Sequence, residues 1–142
     1  MARVNPYFTF NGNCEQAFLF YKSVFGGEFR TLMRFSDVGP VEGQPAIPAD
    51  SQNKIMHVAL PISNETILMG SDAHPMFDPI TVGQHLSISI DTDSKEEADK
   101  IFTALAQGGN VTMPIGDTFW GAYFGMLEDQ FGMAWMVNCD KK

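Results

Sequence analysis

The sequence contains no apolar run near the roughly 20 residues that a helix needs to cross a bilayer. Its opening stretch, MARVNPYFTF, also lacks the apolar core and the small-residue cleavage site of a signal peptide. Basic residues are few, 9 Lys and Arg against 17 Asp and Glu, and the net charge of −8 would repel phosphate backbones and anionic membranes. We therefore expect a cytoplasmic protein whose partners include neither nucleic acid nor a membrane.

Cysteine is also scarce, because Cys14 and Cys139 are the only two in the chain. They form no local metal-binding spacing such as CxxC, and in a protein that is not secreted they are most simply two reduced thiols, with a structural disulfide as the alternative. A phosphate-binding loop, a Ser-His-Asp spacing and a dinucleotide fingerprint are all missing. The sequence thus carries no local signature of nucleotide binding or of serine catalysis.

What the chain does have is material for a packed interior. Of its 142 residues, 44% are apolar and 12% aromatic, while only 18% are charged. This composition excludes a disordered chain, and the length suffices for one domain with a real core, or for two small modules that share one.

Two amphipathic segments of the same design are the clearest pattern. In the first, Ala17, Phe20, Tyr21 and Val24 fall at helical spacing before Gly26-Gly27. Adding 81 to these four numbers gives the apolar positions of the second segment, which are Ala98, Ile101, Phe102 and Leu105. The second helix opens with Ser94 and Glu97, which form a capping box, and ends at Gly108-Gly109. We interpret this match as an internal duplication.

Strand-like stretches complete each repeat. VNPYFTF precedes the first helix, and EFRTLMRF, KIMHVAL and ETILMG follow it, with a long exposed loop predicted over 36–53. QHLSISID precedes the second helix, and NVTMPIG, WGAYFGML and MAWMVN follow it. The prediction is an α+β protein with tandem βαβββ modules at about 1–75 and 83–142. Two helices cannot cover both faces of eight strands, so a cleft is expected. The alternative is a single helix-on-sheet domain with an accidental helix match.

Three stretches carry a family resemblance: YFTFNGNCEQAFLFYKSVFGGEF near the start, ILMGSD in the middle, and TFWGAYFGMLEDQFGMAWMVN near the end. A tandem βαβββ chain with these motifs resembles the vicinal oxygen chelate (glyoxalase/bleomycin resistance/dioxygenase) superfamily, and more narrowly its PhnB-like subgroup. The resemblance covers most of the chain. It implies two modules whose mixed sheets form a cup, often completed by a symmetric homodimer.

The resemblance also implies where a metal would be held. Metal-dependent members place four ligands, typically His, Glu, His or Gln, and Glu, on the first, fourth, fifth and eighth strands. In this chain the matching positions are Pro6, Met69, His85 and Met136. Proline has no donor side chain, and a thioether is a soft ligand suited to cuprous copper rather than to zinc, nickel, manganese or iron. We therefore expect no metal or other cofactor in the usual place.

Strand alternation predicts the lining of the cup. His85 shares a face with Ser87 and Ser89, whereas Ile88 and Ile90 suit the side covered by the helix. If the other ligand positions also face inward, their neighbours on the same face complete a mostly apolar lining, namely Phe8, Phe10, Ile67, Met69, Ser71, Ala134, Met136 and Asn138. Such a surface is typical of a site for a small molecule.

Histidines and carboxylates supply the candidates for chemistry. His85 is either a general base, since an imidazole can exchange protons at cellular pH, or an ordinary hydrogen-bonded histidine. His57 either lines the cup or faces solvent. Asp72 either binds a ligand at the rim or caps a turn, while His74 and Asp129 are expected to be exposed in their loop and turn.

Aromatic and sulfur side chains offer apolar contacts. Trp120 and Tyr123, at the start of the predicted seventh strand, either stack on a flat ligand or belong to the core. The nine methionines are many for this length, and methionine adapts its shape to irregular apolar partners in a site, an interface or a core.

Two functional hypotheses follow. In the first, a PhnB-like protein binds a small, partly apolar molecule in its cup without a tightly bound metal. In the second, a lyase, isomerase or dioxygenase uses His85 as a base, or a metal held by an unusual set such as His57, Asp72 and His85. Members of the subgroup are also labelled as ubiquinone-pathway methyltransferases, but the sequence offers no S-adenosylmethionine motif to support that label.

Overall fold

The computed structural model describes residues 2–39, 42–43, 45–76, 78–83 and 85–140. The chain divides into two compact units, Met1–Thr81 and Val82–Lys142. Unit 1 contains, in chain order, β1 (Tyr7–Phe10), α1 (Cys14–Phe25), β2 (Thr31–Arg34), α2 (Phe35–Val38), a 3₁₀ turn (Ala49–Ser51), β3 (Ile55–Pro61) and β4 (Ile67–Asp72). Unit 2 contains β5 (Ile88–Asp91), α3 (Lys95–Leu105), β6 (Asn110–Asp117), β7 (Ala122–Glu128) and β8 (Ala134–Asp140).

Each unit forms one four-stranded mixed sheet, and the two sheets have the same topology. The strand order is β1-β4-β3-β2 in unit 1 and β5-β8-β7-β6 in unit 2. The first strand of each unit pairs in parallel with the last, β1 with β4 and β5 with β8, while the other neighbours are antiparallel. The predicted α+β class and the tandem βαβββ plan are therefore confirmed.

Helix α1 packs on one face of the sheet of unit 1. Its buried residues are Cys14, Ala17, Phe18 and Tyr21. The ring of Phe18 lies tilted to that of Phe8 on β1, with 6.5 Å between the centroids. The ring of Tyr21 lies edge-on to Phe8 at 5.9 Å. The predicted periodicity locates the helix correctly but misses Phe18 and overstates Phe20 and Val24, which are only half-buried.

Helix α3 packs on one face of the sheet of unit 2 in the same way. Ala98, Phe102 and Leu105 are its buried residues, and they meet a strand face that contains the buried Trp135 and Val137. The hydroxyl of Ser94 accepts a hydrogen bond from the Glu97 N–H at 3.1 Å, as the predicted cap requires.

Each helix presses a phenylalanine ring against a glycine of its sheet. A Cβ added to Gly70 of β4 would lie 2.6 Å from Cε2 of Phe18. A Cβ added to Gly125 of β7 would lie 2.7 Å from Cε2 of Phe102 and 2.7 Å from Cα of Ile115. The absence of a side chain at these two positions lets each helix approach its sheet closely.

Local differences from the sequence predictions lie at element ends and in the first long loop. The predicted loop at 36–53 contains α2 and the 3₁₀ turn, and its residues 40, 41 and 44 lie outside the described part of the chain. Helix α1 ends where predicted, at Gly26, which has a φ of 79° that favours glycine and donates its N–H to the Lys22 carbonyl. None of the helices in the described ranges has the length and apolar character that crossing a bilayer needs.

The close approach of α3 predicts that Gly125→Ala lowers the free energy of unfolding by about 1–3 kcal/mol, because the added methyl group must displace the backbone of Ile115. Urea denaturation followed by circular dichroism measures this loss. The matched control is Gly116→Ala on the neighbouring strand β6, where a Cβ would meet nothing within 4 Å. We expect that control to change the free energy by less than about 0.5 kcal/mol, and equal losses would contradict the packing argument.

Candidate functional site

The side of each sheet that faces away from its own helix is called its helix-free face. In unit 1, strand register sets one row of this face, which consists of Tyr7, Met69, Ala59 and Thr31. Alternate residues point the other way, since Phe8 and Gly70 contact α1. Thr9 lies beside Ser71 in the next row, and His57 lies beside Met33.

A stacked ring pair lies on the helix-free face of unit 1. The rings of Tyr7 and His57 are nearly parallel, with an angle of 24° between their planes and 6.0 Å between their centroids. Tyr7 is 49% exposed and His57 is half-buried. Within unit 1, His57 therefore lies on the same side of the sheet as the predicted residues Met69 and Ser71.

Two predicted lining residues lie on the opposite side of the same sheet. Phe8 and Phe10 are 6% and 3% exposed and contact the ring of Phe18 on α1. Their placement on the lining was therefore wrong, and they belong to the core. The register explains the error, because Tyr7 rather than Pro6 lies opposite Met69.

Asp72 is a structural residue of unit 1. Its side chain is buried, and Oδ1 accepts hydrogen bonds from the N–H groups of Gly12 and Cys14 at 3.0 and 2.9 Å. Its Oδ2 accepts a third from the N–H of Ile55 at 2.8 Å. One carboxylate thereby fastens the start of α1 and the start of β3 to the end of β4, and its negative charge lies at the positive end of the helix dipole. Neither suggested role, ligand binding or capping of the following turn, describes these contacts.

The helix-free face of unit 2 carries a row of sulfur side chains. Strand register sets this row as Ser89, Met136, Met126 and Met113. The next row contains Asp91, Asn138 and Phe124. The amide of Asn138 donates hydrogen bonds to Asp91 Oδ1 and Asp140 Oδ1, both at 3.1 Å, so the polar end of this face is already ordered.

His85 lies outside the fifth strand, which contradicts its predicted position. Strand β5 begins at Ile88, and both His85 and Ser87 precede it and are exposed. Gln84, at the start of the predicted strand, lies outside the described residues. The residue opposite Met136 is Ser89, which is the counterpart of Tyr7 opposite Met69 in unit 1. Tyr7 with Met69, and Ser89 with Met136, therefore occupy the same places in the two registers.

Trp120 and Tyr123 lie in different surroundings. The hydroxyl of Tyr123 donates a 2.5 Å hydrogen bond to Asp99 on α3, which raises the pKa of the phenol, and Lys95 Nζ lies 5.0 Å from its ring centroid. Tyr123 therefore faces α3 and not the helix-free face. Trp120 lies in the turn before β7, is 53% exposed, and contacts the ring of Phe124 at 5.8 Å.

Asp129 is a buried carboxylate that the sequence interpretation placed in solvent. Its Oδ1 accepts the N–H groups of Phe131 and Met133 at 2.8 and 3.1 Å, and its Oδ2 accepts the indole N–H of Trp135 at 2.8 Å. The side chain is 3% exposed. It orders the turn between β7 and β8 and so holds Met136 in register.

A cavity of about 460 Å³ lies elsewhere in unit 1, beside α2 and the loop that follows it. Its walls include Phe35, Ile47, Met56 and His74. His74 is half-buried rather than exposed, because its ring lies edge-on to Phe35 at 5.6 Å and its Nδ1 accepts the Met76 N–H at 3.1 Å. Met56, in the wall of the cavity, lies on β3 where the register against β2 shifts.

The donor groups do not suit a divalent metal. In the described ranges of the chain, no three His, Cys, Asp or Glu side chains cluster closely enough to hold an ion. The set of His57, Asp72 and His85 does not assemble in unit 1, because Asp72 binds three N–H groups on the helix side of the sheet while His57 lies on the other side. Tyr7, Met69, Ser89 and Met136 offer two thioethers and two hydroxyls.

The two cysteines are free thiols, and both are buried. Burial raises the pKa of the Cys14 thiol far above its usual range, and the negative charge of Asp72 raises it further. Cys14 is therefore held as the protonated thiol, which is a poor nucleophile.

The architecture of paired βαβββ units is that of the glyoxalase-like, vicinal oxygen chelate proteins. A glyoxalase/bleomycin resistance protein from Albidiferax ferrireducens shares the fold at a TM-score of 0.63 and 16% identity, over 96% of this chain and 97% of that one. Residues 2–138 match the family described as 3-demethylubiquinone-9 3-methyltransferase. The chain belongs to this family.

Individual relatives agree with this assignment. The chain is 45% identical to protein PA1353 from Pseudomonas aeruginosa, whose crystal structure superposes with a TM-score of 0.85 over all of both chains. A Bacillus cereus PhnB protein, described as a putative 3-demethylubiquinone-9 3-methyltransferase, gives 25% identity and a TM-score of 0.73 over 97% of this chain and 99% of that one. Protein YjdN of Escherichia coli is 30% identical over 98% of this chain and 96% of its own length. The predicted PhnB-like resemblance is confirmed.

The contacts of Asp72 predict that Asp72→Asn lowers the free energy of unfolding by about 2–3 kcal/mol, because the new amide NH₂ would face a backbone donor. Thermal and urea unfolding measure the change. Asp37→Asn is the matched control, since Asp37 is exposed and accepts a single backbone N–H, from Arg34 at 2.8 Å. A loss for Asp72→Asn no larger than for this control would contradict the structural role.

Proposed function

We propose that this protein binds a small, partly apolar molecule on the helix-free faces of its sheets without a tightly bound divalent metal. The observation that carries the proposal is the composition of these faces. Unit 1 offers the stacked rings of Tyr7 and His57 beside Met69, and unit 2 offers Met136 with Phe124 in the next row. Apolar surface with a few fixed polar groups is typical of small-molecule sites.

The polar groups on these faces suit orientation of a ligand. His57 and Ser71 can exchange hydrogen bonds with a ligand in unit 1, and Asn138 and Asp91 lie in a hydrogen-bonded pair in unit 2. Aromatic and methionine side chains provide contact area that adapts to varied apolar shapes. The support is therefore for binding, and no described pair of a nucleophile and a base on these faces supports a reaction.

The ligand chemistry at the four equivalent positions supports the statement on metals. Phenol, hydroxyl and thioether groups replace the imidazoles and carboxylates that zinc, manganese or nickel prefer. The competing hypothesis, a metal-dependent lyase, isomerase or dioxygenase, would rest on His85, which is exposed and precedes β5. No observation in the structure favours it.

Binding of Nile red, a neutral and apolar fluorescent probe, tests the proposal without repulsion by the net charge of −8. We expect saturable fluorescence with the native protein and at least a tenfold weaker affinity for Met69→Glu, because the carboxylate would lose water on contact with the probe. The control Leu19→Glu alters a 52% exposed residue on α1 and should bind like the wild type.

Two results would contradict the proposal. One is the loss of Nile red binding in Ile47→Glu with no loss in Met69→Glu, which would assign the probe to the cavity beside α2. The other is a stoichiometric divalent ion in protein purified without an affinity tag, accompanied by a stabilisation of about 2.7 kcal/mol at 100 times its dissociation constant. S-adenosylmethionine belongs in the same titration series, because the family description names a methyl transfer.

We further propose that the protein acts in the cytoplasm as a homodimer. Exposed apolar side chains support an interface, since Phe119 is 98% exposed and lies at 5.0 Å from the ring of Trp120. Multi-angle light scattering should give twice the chain mass of 15.7 kDa. Phe119→Ser should shift the equilibrium toward monomer, and a monomeric wild type at micromolar concentration would contradict this proposal.

A further inference from the structure

The methionine row of unit 2 has a chemical character that binding of an apolar molecule does not require. Met113 on β6 lies opposite Met126 on β7, and Met126 lies opposite Met136 on β8. Three thioether side chains thus occupy paired positions across three adjacent strands, and β6 changes register on both sides of Met113. All three are half-buried, and Met126 and Met136 lie on the helix-free face.

The spacing of the row allows three sulfur atoms to converge. Neighbouring strands lie about 4.8 Å apart, and directly opposed residues have Cβ atoms about 4.5–5.5 Å apart. Methionine has three rotatable side-chain bonds, so the outer two side chains, Met113 and Met136, can lean toward the central Met126. The turn at Asp129, with its bonds to Met133 and Trp135, fixes β8 in the register that aligns the row.

We propose that Met113, Met126 and Met136 form a binding site for a soft, monovalent d¹⁰ cation, and that Cu(I) is the biological ion of this class. Thioethers are soft, neutral ligands that select Cu(I) over divalent ions, which prefer nitrogen and oxygen donors. Neutral ligands leave the ion's single positive charge in place, and the nearby Asp91 and the chain's net charge of −8 favour a cation.

The same position in unit 1 provides an internal comparison. Met69 is the counterpart of Met136, but its row continues with Ala59 and Thr31 and contains no second methionine. A cuprous site is therefore a property of unit 2. It rests on the methionine row alone and not on the proposed binding of an apolar molecule.

Titration with silver nitrate in chloride-free buffer tests the site, because Ag(I) is an air-stable ion of the same class. We expect one Ag(I) to shift the [¹³C]methyl resonances of Met113, Met126 and Met136 in the labelled protein and to leave those of Met33 and Met69 unchanged. Competition with bicinchoninate under anaerobic conditions then measures the affinity for Cu(I) itself.

The central residue gives the decisive variant. Met126→Leu conserves volume and apolar character, so the fold should persist while the affinity for Ag(I) and Cu(I) falls at least tenfold. Met69→Leu, which makes the same change in the other sheet, should retain both metal affinities.

Three outcomes would overturn the proposal. One is the absence of Ag(I) binding by folded wild type, and a second is equal affinity in Met126→Leu. The third is binding that leaves every methionine methyl resonance unmoved, which would assign the ion to the thiols of Cys14 or Cys139. The proposed function is decided separately, because it is tested by Nile red binding to Met69→Glu, whose substitution lies in the other sheet.

Discussion

The constraint on which the structure depends is that each four-stranded sheet packs one long helix, α1 or α3, and that this helix covers one face. Close contact makes that coverage tight, because Phe18 and Phe102 each pack where a glycine leaves room, at Gly70 and Gly125. The buried apolar residues that alternate along the strands lie mainly on this side, toward the helix. The opposite face therefore stays free of its own helix, and its residues are released from the demand for core packing.

Two buried carboxylates hold this arrangement at its edges. Asp72 and Asp129 each accept three N–H groups, and each joins segments that are separate in the fold or turn sharply. Sequence patterns assign such residues to solvated turns, because carboxylates in turns usually are solvated. The sequence contained one sign of a buried role for Asp129, because a buried tryptophan such as Trp135 needs an acceptor for its indole N–H.

Period and spacing were sufficient to predict α1, α3, the number of strands and the duplication, because these follow from local sequence, but α2 was missed in the predicted loop at 36–53. They were not sufficient to predict the strand register, since a shift of one residue exchanges the two faces of a strand. In YFTF, aromatic residues occur on both faces, so alternation could not show that Tyr7 rather than Phe8 faces away from α1. In β5 the faces were correct but the length was not. Ile88 already lies opposite Trp135, and β8 begins at Ala134, so the partner strand ends before His85 is reached.

The duplication explains why the two helix-free faces differ in chemistry while sharing one frame. Tyr7 and Ser89, Met69 and Met136, and Ala59 and Met126 occupy equivalent places in the two registers. On the helix side such substitutions would alter a packed core, where a change of one methylene is felt. At the exposed and half-buried positions of the helix-free face they cost less, so one sheet can keep a ring pair suited to a flat apolar molecule while the other lines up three thioethers. Ala59, which is 4% exposed, is the buried exception. The same fold thereby supports two different surfaces without any change in what holds it together.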